Sequence, residues 1–137
     1  MGRVITFSRN VFIPLTTVCR NRCDYCGFRT PVQDGCILPP PDVEEILRRG
    51  AAAGCTEALF TFGERPELEP GFSGMLSALG HGTIVDYCFA MSRRAIQEGL
   101  LPHTNAGLLT YAEMDRLREV NASMGLMLET TAEVPAH

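Results

Sequence analysis

The chain predicts an α/β fold in which a parallel sheet is laid down strand by strand, with a crossover helix after each strand. Three observations predict it. Short apolar runs alternate with helix-periodic runs in the order strand, helix, strand, helix, strand, helix, strand, which implies parallel pairing through right-handed crossovers. The segments best suited to chemistry, at Cys19, Gly63, Thr104 and Glu129, all follow a strand run, where α/β barrels place their sites. No internal repeat, heptad or low-complexity stretch competes with that order.

The elements follow in sequence. Val11 to Thr16 is the first strand; its continuous apolar character suits a strand covered on both faces. A cysteine-bearing loop and a turn-rich stretch, Phe28 to Pro41, come next. Asp42 is the expected N-cap of a helix from Asp42 to Ala53, with Glu45 completing a capping-box pattern and Gly54 as the stop. Ala58 to Phe62 is the second strand, closed by Gly63 and Glu64. Phe72 to Leu79 allows a short helix, and Val85 to Glu98 a longer one closed by Gly99. Leu100 to Gly107 reads as the third strand and its loop, despite Pro102. Thr110 caps a helix from Tyr111 to Val120, with Glu113 three residues on. Tyr111, Met114, Leu117 and Val120 form its expected apolar stripe. Ser123 to Leu128 is the fourth strand, with Glu129 in its C-terminal loop.

Composition bounds the function. The 137 residues suffice for one domain, 1–137, with a core of its own. A net charge of −4 speaks against a nucleic-acid binder. No apolar run approaches the ~18 residues of a membrane span, and no signal-peptide pattern opens the chain, so a soluble cytoplasmic protein is expected. The six cysteines are too clustered for a secreted disulfide framework. Cys36, Cys55 and Cys88 stand singly and read as buried small hydrophobes.

The remaining three cysteines carry the chemistry. Cys19, Cys23 and Cys26 are spaced C-x3-C-x2-C on the loop after the first strand. A cubane [4Fe–4S] cluster takes one ligand per iron, so three cysteines leave one iron open. A zinc knuckle completed by a distant His or Cys, or unpaired thiols, are the alternatives. Arg3, Arg9, Arg20, Arg22 and Arg29 make this end basic, either as a solvated face or as cations beside an anionic cluster.

With Tyr25 in the aromatic slot of C-x3-C-x-aromatic-C, the motif resembles that of the radical S-adenosylmethionine (SAM) enzymes. The resemblance implies that SAM chelates the open iron and is cleaved on reduction to methionine and a 5′-deoxyadenosyl radical. It narrows further. Ser8 to Thr16, Cys19 to Arg29, Phe62 to Glu67, Leu101 to Gly107 and Asn121 to Glu129 look similar to the CofG type of FO synthase. That family implies a partial (β/α) TIM-like barrel of the radical SAM type. It also implies a lyase reaction in coenzyme F-420 biosynthesis that closes the deazaflavin ring of FO (7,8-didemethyl-8-hydroxy-5-deazariboflavin) and releases ammonia. The substrate would be the ribitylaminouracil–hydroxybenzyl adduct, 5-amino-5-(4-hydroxybenzyl)-6-(D-ribitylimino)-5,6-dihydrouracil. An electron donor for the cluster and a sister subunit that makes the adduct would be the partners.

By position, the resemblance gives Cys19, Cys23 and Cys26 to the cluster. It puts Tyr25 beside it with a backbone contact to adenine, and Gly63 and Glu64 at the SAM amino group. Glu129 falls to the SAM ribose or methionyl part, and Thr104 and Asn105 to the substrate or SAM side. His103 is a candidate proton carrier. The resemblance stops at His137, where family chains continue. The chain is therefore expected to be an N-terminal portion that ends after strand four and, alone, aggregates or binds SAM weakly. Another radical SAM activity (hydroxybenzyl transfer, a menaquinone-pathway or biotin-synthase-like reaction) and a non-catalytic zinc or iron–sulfur module are the competing readings.

Overall fold

Four strands pair in parallel in the order of the chain: β1 (Asn10–Thr16), β2 (Glu57–Phe62), β3 (Leu101–Asn105) and β4 (Ser123–Gly125). The structure is a computed structural model, and it describes residues 3–127 together with 131 and 133. The helices are α1 (Pro40–Ala52), α2 (Phe72–Ala78), α3 (Ile84–Gln97) and α4 (Tyr111–Arg118), with a 3-10 turn at Pro66–Leu68. Sequential strand order with right-handed crossovers puts the helices on one side of the sheet, as in a barrel wall, where a doubly wound sheet reverses direction. Accordingly α1 packs on β1, and α3 on β2 and β3.

Register decides which side chains meet the helices. Aligned residues of parallel strands share a face. Ile13, Leu15, Ala58, Phe60 and Phe62 enter the core against Val43 and Leu47 of α1 and Val85, Cys88 and Met91 of α3. A fully buried Phe such as Phe60 contributes about 2–3 kcal/mol of hydrophobic stabilisation. The other face carries two rows, Phe12–Leu59–His103–Ser123 and Pro14–Thr61–Asn105–Gly125. No described helix covers these rows, and Phe12 stays 50% exposed. The expectation that β1 is covered on both faces is thus corrected: among the described residues the helix side is closed and the other side is open at Phe12.

Local chemistry accounts for the element boundaries, with several corrections. Helix α1 starts two residues early. Pro39 is its N-cap residue, without a side-chain cap bond, and prolines fill its first positions, where a missing N–H leaves no intrahelical bond unmade. Asp42 therefore lies inside the first turn and is not the cap. Glu45 pairs with Arg48 at 2.6 Å and completes no capping box. The stop is as expected: Gly54 is left-handed (φ 78°), and the Cys55 and Gly54 N–H groups return to the Gly50 and Ala51 carbonyls. The cap of α3 is Thr83, whose hydroxyl accepts the Asp86 N–H at 3.0 Å. Tyr87 is fully buried and donates its hydroxyl to the Leu38 carbonyl at 2.6 Å, tying α3 to the turn before α1.

Helix α4 has the expected Thr110–Glu113 capping box. Its stripe is corrected: Leu117 and Val120 are buried, but Tyr111 is 88% exposed. A spacing of three residues falls about 60° short of a full turn at each step, so Tyr111 sits about 120° from Leu117. Pro102 is tolerated in β3 because its carbonyl accepts the Ala122 N–H just before β4 begins. The missing N–H thus faces the side where β4 has not yet started pairing. Strand β4 is shorter than expected; Leu126 and Met127 lie past it, and Leu128 and Glu129 lie outside the described residues. Cys88 is buried, with desolvation pushing its thiol up to about 11. Cys55 is half-buried, whereas Cys36 is exposed, contrary to expectation. At Cys36 the fold uses the backbone, whose carbonyl accepts the Thr16 hydroxyl at 2.9 Å.

Candidate functional site

The loop after β1 is held by its own backbone and by β2. The Val18 N–H donates to Thr16 Oγ1 at 3.1 Å, and the Thr30 N–H to the Thr17 carbonyl at 3.0 Å, which closes the loop into a lobe. Inside it, the Cys26 N–H donates to the Cys23 carbonyl at 3.0 Å, a turn that brings the second and third cysteines together. Arg29 Nε donates to the Cys19 carbonyl at 3.0 Å. Cys19, Cys23 and Cys26 all line one open cleft of about 220 Å³, facing Thr61 to Glu64, Asn105 to Gly107, Leu126 and Met127. The cleft lies over the C-terminal ends of β1, β2 and β3.

The end of β2 presses onto this loop. A Cβ on Gly63 would lie 2.1 Å from the Val18 carbonyl oxygen and 2.5 Å from Cys19 Cβ. Glycine is thus required at 63 by the cysteine loop itself, where sequence reasoning assigned it to the approach of a ligand. The next residue, Glu64, donates its N–H to Cys19 Sγ at 3.1 Å and accepts the Arg20 N–H at 2.9 Å. Its carboxylate meets Arg20 Nη2 at 2.6 Å.

Arg65 follows in a left-handed conformation (φ 40°), which is costly for a non-glycine residue and is held here from outside. Its guanidinium takes both Glu113 oxygens and the Leu108 carbonyl. That bidentate pair, with the Thr110 cap bonds, holds the Glu113 carboxyl down at about 2. It links the end of β2 to the loop after β3 and the start of α4.

The remaining sequence expectations divide. Asn105 reaches the cleft. Thr104 does not: it is fully buried on the helix side, donates to Asn121 Oδ1 at 2.8 Å and lies 3.4 Å from Cys88 Sγ. Neighbours in a strand face opposite ways, so only one of the pair could serve the site. His103 is on the open face, its Nδ1 2.6 Å from Ser123 Oγ. Tyr25 is 58% exposed between the second and third cysteines. Glu129 lies outside the described residues. Of the arginines, Arg20, Arg22 and Arg29 stand at the cysteine loop, with Arg29 also 3.8 Å from Glu69. Arg9 lies at the opposite end of β1, where its carbonyl accepts the Thr56 N–H.

Sequence reasoning missed Arg65, Asn21 and Thr61. Arg65 adjoins the Gly-Glu pair, and its left-handed turn leaves no trace in composition. Thr61 lines the cleft with its hydroxyl oxygen buried and without a protein hydrogen-bond partner among the described residues. A buried, unsatisfied acceptor beside three thiols fits a site that takes a polar ligand. Among the described residues, no three His, Cys, Asp or Glu side chains converge on a single metal-sized point. The three cysteines share one cleft. A larger hollow of about 710 Å³ lies far off, between β1's first residues and the end of α1, lined by Val11, Phe12, Ile46 and Gly50. It holds none of the three cysteines.

Comparison with known proteins follows this geometry. The Radical SAM superfamily profile matches residues 13–134. Proteins named 7,8-didemethyl-8-hydroxy-5-deazariboflavin synthase are similar over almost the whole chain: 67% identical over 98% of it in Methanoregula boonei and 68% over 98% in Methanosphaerula palustris. The one from Methanosarcina mazei is 52% identical over 97%. The chain spans about 41% of the length of the first two of these relatives and 40% of the third. Among solved structures, that of methylornithine synthase (PylB) superposes with a TM-score of 0.60 at 22% identity, covering 85% of this chain and 32% of that one. At that identity the likeness is one of fold. No helix among the described residues is long and apolar enough to cross a membrane.

Proposed function

The chain belongs to the radical SAM superfamily, and from that premise we propose that it is the cluster-bearing part of an FO synthase, a radical SAM lyase acting late in deazaflavin formation. The observation that carries the reading is the cysteine cleft at the strand ends, with Gly63 and Glu64 packed directly on Cys19. The identity to relatives named 7,8-didemethyl-8-hydroxy-5-deazariboflavin synthase supports the substrate class.

Cys19, Cys23 and Cys26 would hold a [4Fe–4S] cluster and leave its fourth iron to SAM. When bound, the pair supplies a 5′-deoxyadenosyl radical. The chain's own residues do the rest. The edge at Gly63 and Glu64 receives the SAM amino group, and Tyr25 flanks the cluster and meets the adenine through its backbone. Thr61 and Asn105 offer polar atoms on the same cleft. Glu129, outside the described residues, is assigned by the resemblance to the SAM ribose or methionyl part. Arg20 and Arg29, paired with Glu64 and Glu69, brace the cysteine loop. His103, paired with Ser123 on the open face and about 7 Å from Asn105 by strand rise, is the proton carrier for a substrate lying over the sheet. The substrate is the ribitylaminouracil–hydroxybenzyl adduct. A sister subunit supplies it, and a separate donor reduces the cluster.

The test gives the reconstituted protein the adduct, SAM and a reductant, and follows deazaflavin fluorescence together with 5′-deoxyadenosine. Both products are expected when the chain is extended to the length of its relatives, and little of either from residues 1–137 alone. From the extended chain, 5′-deoxyadenosine without deazaflavin would assign the chain to another radical SAM reaction, and the absence of both would contradict the reading.

A further inference from the structure

Glu64 engages more of the site than a ligand-binding carboxylate needs. Its N–H reaches Cys19 Sγ at 3.1 Å, and its carbonyl accepts the Arg20 N–H at 2.9 Å. Its Oε1 takes Arg20 Nη2 at 2.6 Å, and its Oε2 lies 3.4 Å from Asn21 Nδ2. From the other side, the Leu108 N–H approaches Oε2 at 3.4 Å. A Cβ on Gly107 would lie 2.8 Å from Glu64 Cβ, so the loop after β3 is packed onto the same side chain. The Glu64 side chain is left 12% exposed, against 42% for Arg20.

We propose that Glu64 is a positioning residue for Cys19: a clamp whose carboxylate, through Arg20, fixes the first cysteine so that the Glu64 N–H stays on its sulfur. This rests on the reading of Cys19 as a cluster ligand for its consequence, but not for its geometry. A partly exposed Arg–carboxylate pair adds little to global stability, so the pair's effect is local. An N–H donated to a thiolate disperses negative charge and favours the electron-rich, reduced form of whatever cluster that thiolate holds. The side chain of the Gly-Glu pair thus sets the ligand's geometry.

The clamp can be tested in the metal-free, reduced chain. Iodoacetamide labelling is followed with time at a fixed pH, and each cysteine is read by peptide mass spectrometry. Arg20→Ala and Glu64→Ala are each expected to speed labelling of Cys19 severalfold relative to Cys23. The double variant should go no further than either single one, because both cut the same link. Charge alone would act otherwise: loss of Arg20 would slow Cys19 and loss of Glu64 would speed it. Opposite shifts, an unchanged Cys19 to Cys23 ratio, or additive effects would overturn the clamp. Buried Cys88 is the fold reporter. If it labels in a variant, that variant has unfolded, and Arg20→Gln, a change on a side chain already 42% exposed, decides the question. Iron uptake by the unsubstituted chain tests the ligand reading separately. A chain with the expected labelling pattern but no iron keeps the clamp and loses the cluster.

Discussion

Replacing Cys19, Cys23 or Cys26 singly with serine is expected to abolish cluster uptake. Iron after anaerobic reconstitution should fall from about four per chain to less than one. The arrangement leaves no substitute thiolate. Cys88 is buried on the helix side with its thiol pushed up to about 11, so it is neither available nor ionised. Cys36 and Cys55 are not among the residues lining the cysteine cleft, and Cys55 instead lines the hollow at the far end of β1. Cys36→Ser and Cys55→Ser should therefore keep full iron, measured by metal analysis and the visible absorbance of the reconstituted protein. Iron loss in Cys36→Ser as complete as in Cys19→Ser would show that the ligand set is drawn wrongly.

Gly63→Ala is expected to have the next largest effect, on stability and on the site together. The added methyl would meet the Val18 carbonyl oxygen at 2.1 Å and Cys19 Cβ at 2.5 Å. Backbone is the nearer obstacle, so no rotamer change relieves it. Either β2 or the cysteine loop must move, at about 1–3 kcal/mol for overpacking of this kind. The loop is the side with an open cleft behind it, so Cys19 should be displaced and iron uptake should drop with the denaturation midpoint. Gly27→Ala is the matched control, since nothing lies within 4 Å of a Cβ there; it should stay within about 0.5 kcal/mol of the unsubstituted chain. Equal midpoints and equal iron for Gly63→Ala and Gly27→Ala would contradict this account of Gly63.

Much of this site was legible because its parts are local. The C-x3-C-x2-C spacing, the glycine after an apolar strand and the threonine–glutamate cap of α4 each state their physics within a few residues. The alternation of strands and helices was enough for the parallel, sequential sheet. What was not legible depends on partners distant in sequence. Whether Thr104 or Asn105 faces the cleft is a matter of strand register, which composition does not carry. That Arg65 would fold back onto Glu113, 48 residues away, follows from a left-handed turn that no residue type there announces. The Asp42 cap gave way to Pro39 because prolines suit the first turn as well as aspartate suits the cap. Tyr111 was assigned to a stripe whose three-residue spacing drifts off the buried face. Gly63 was singled out as a place where a ligand comes close; in the structure the cysteine loop lies against it.

The most direct test of the central claim is the electron paramagnetic resonance spectrum of the reduced, anaerobically reconstituted protein, recorded before and after SAM is added. The account predicts about four irons per chain and a reduced-cluster signal that changes with SAM, because three cysteines leave one iron open to it. A colourless protein holding stoichiometric zinc, or a cluster whose signal is indifferent to SAM, would contradict it.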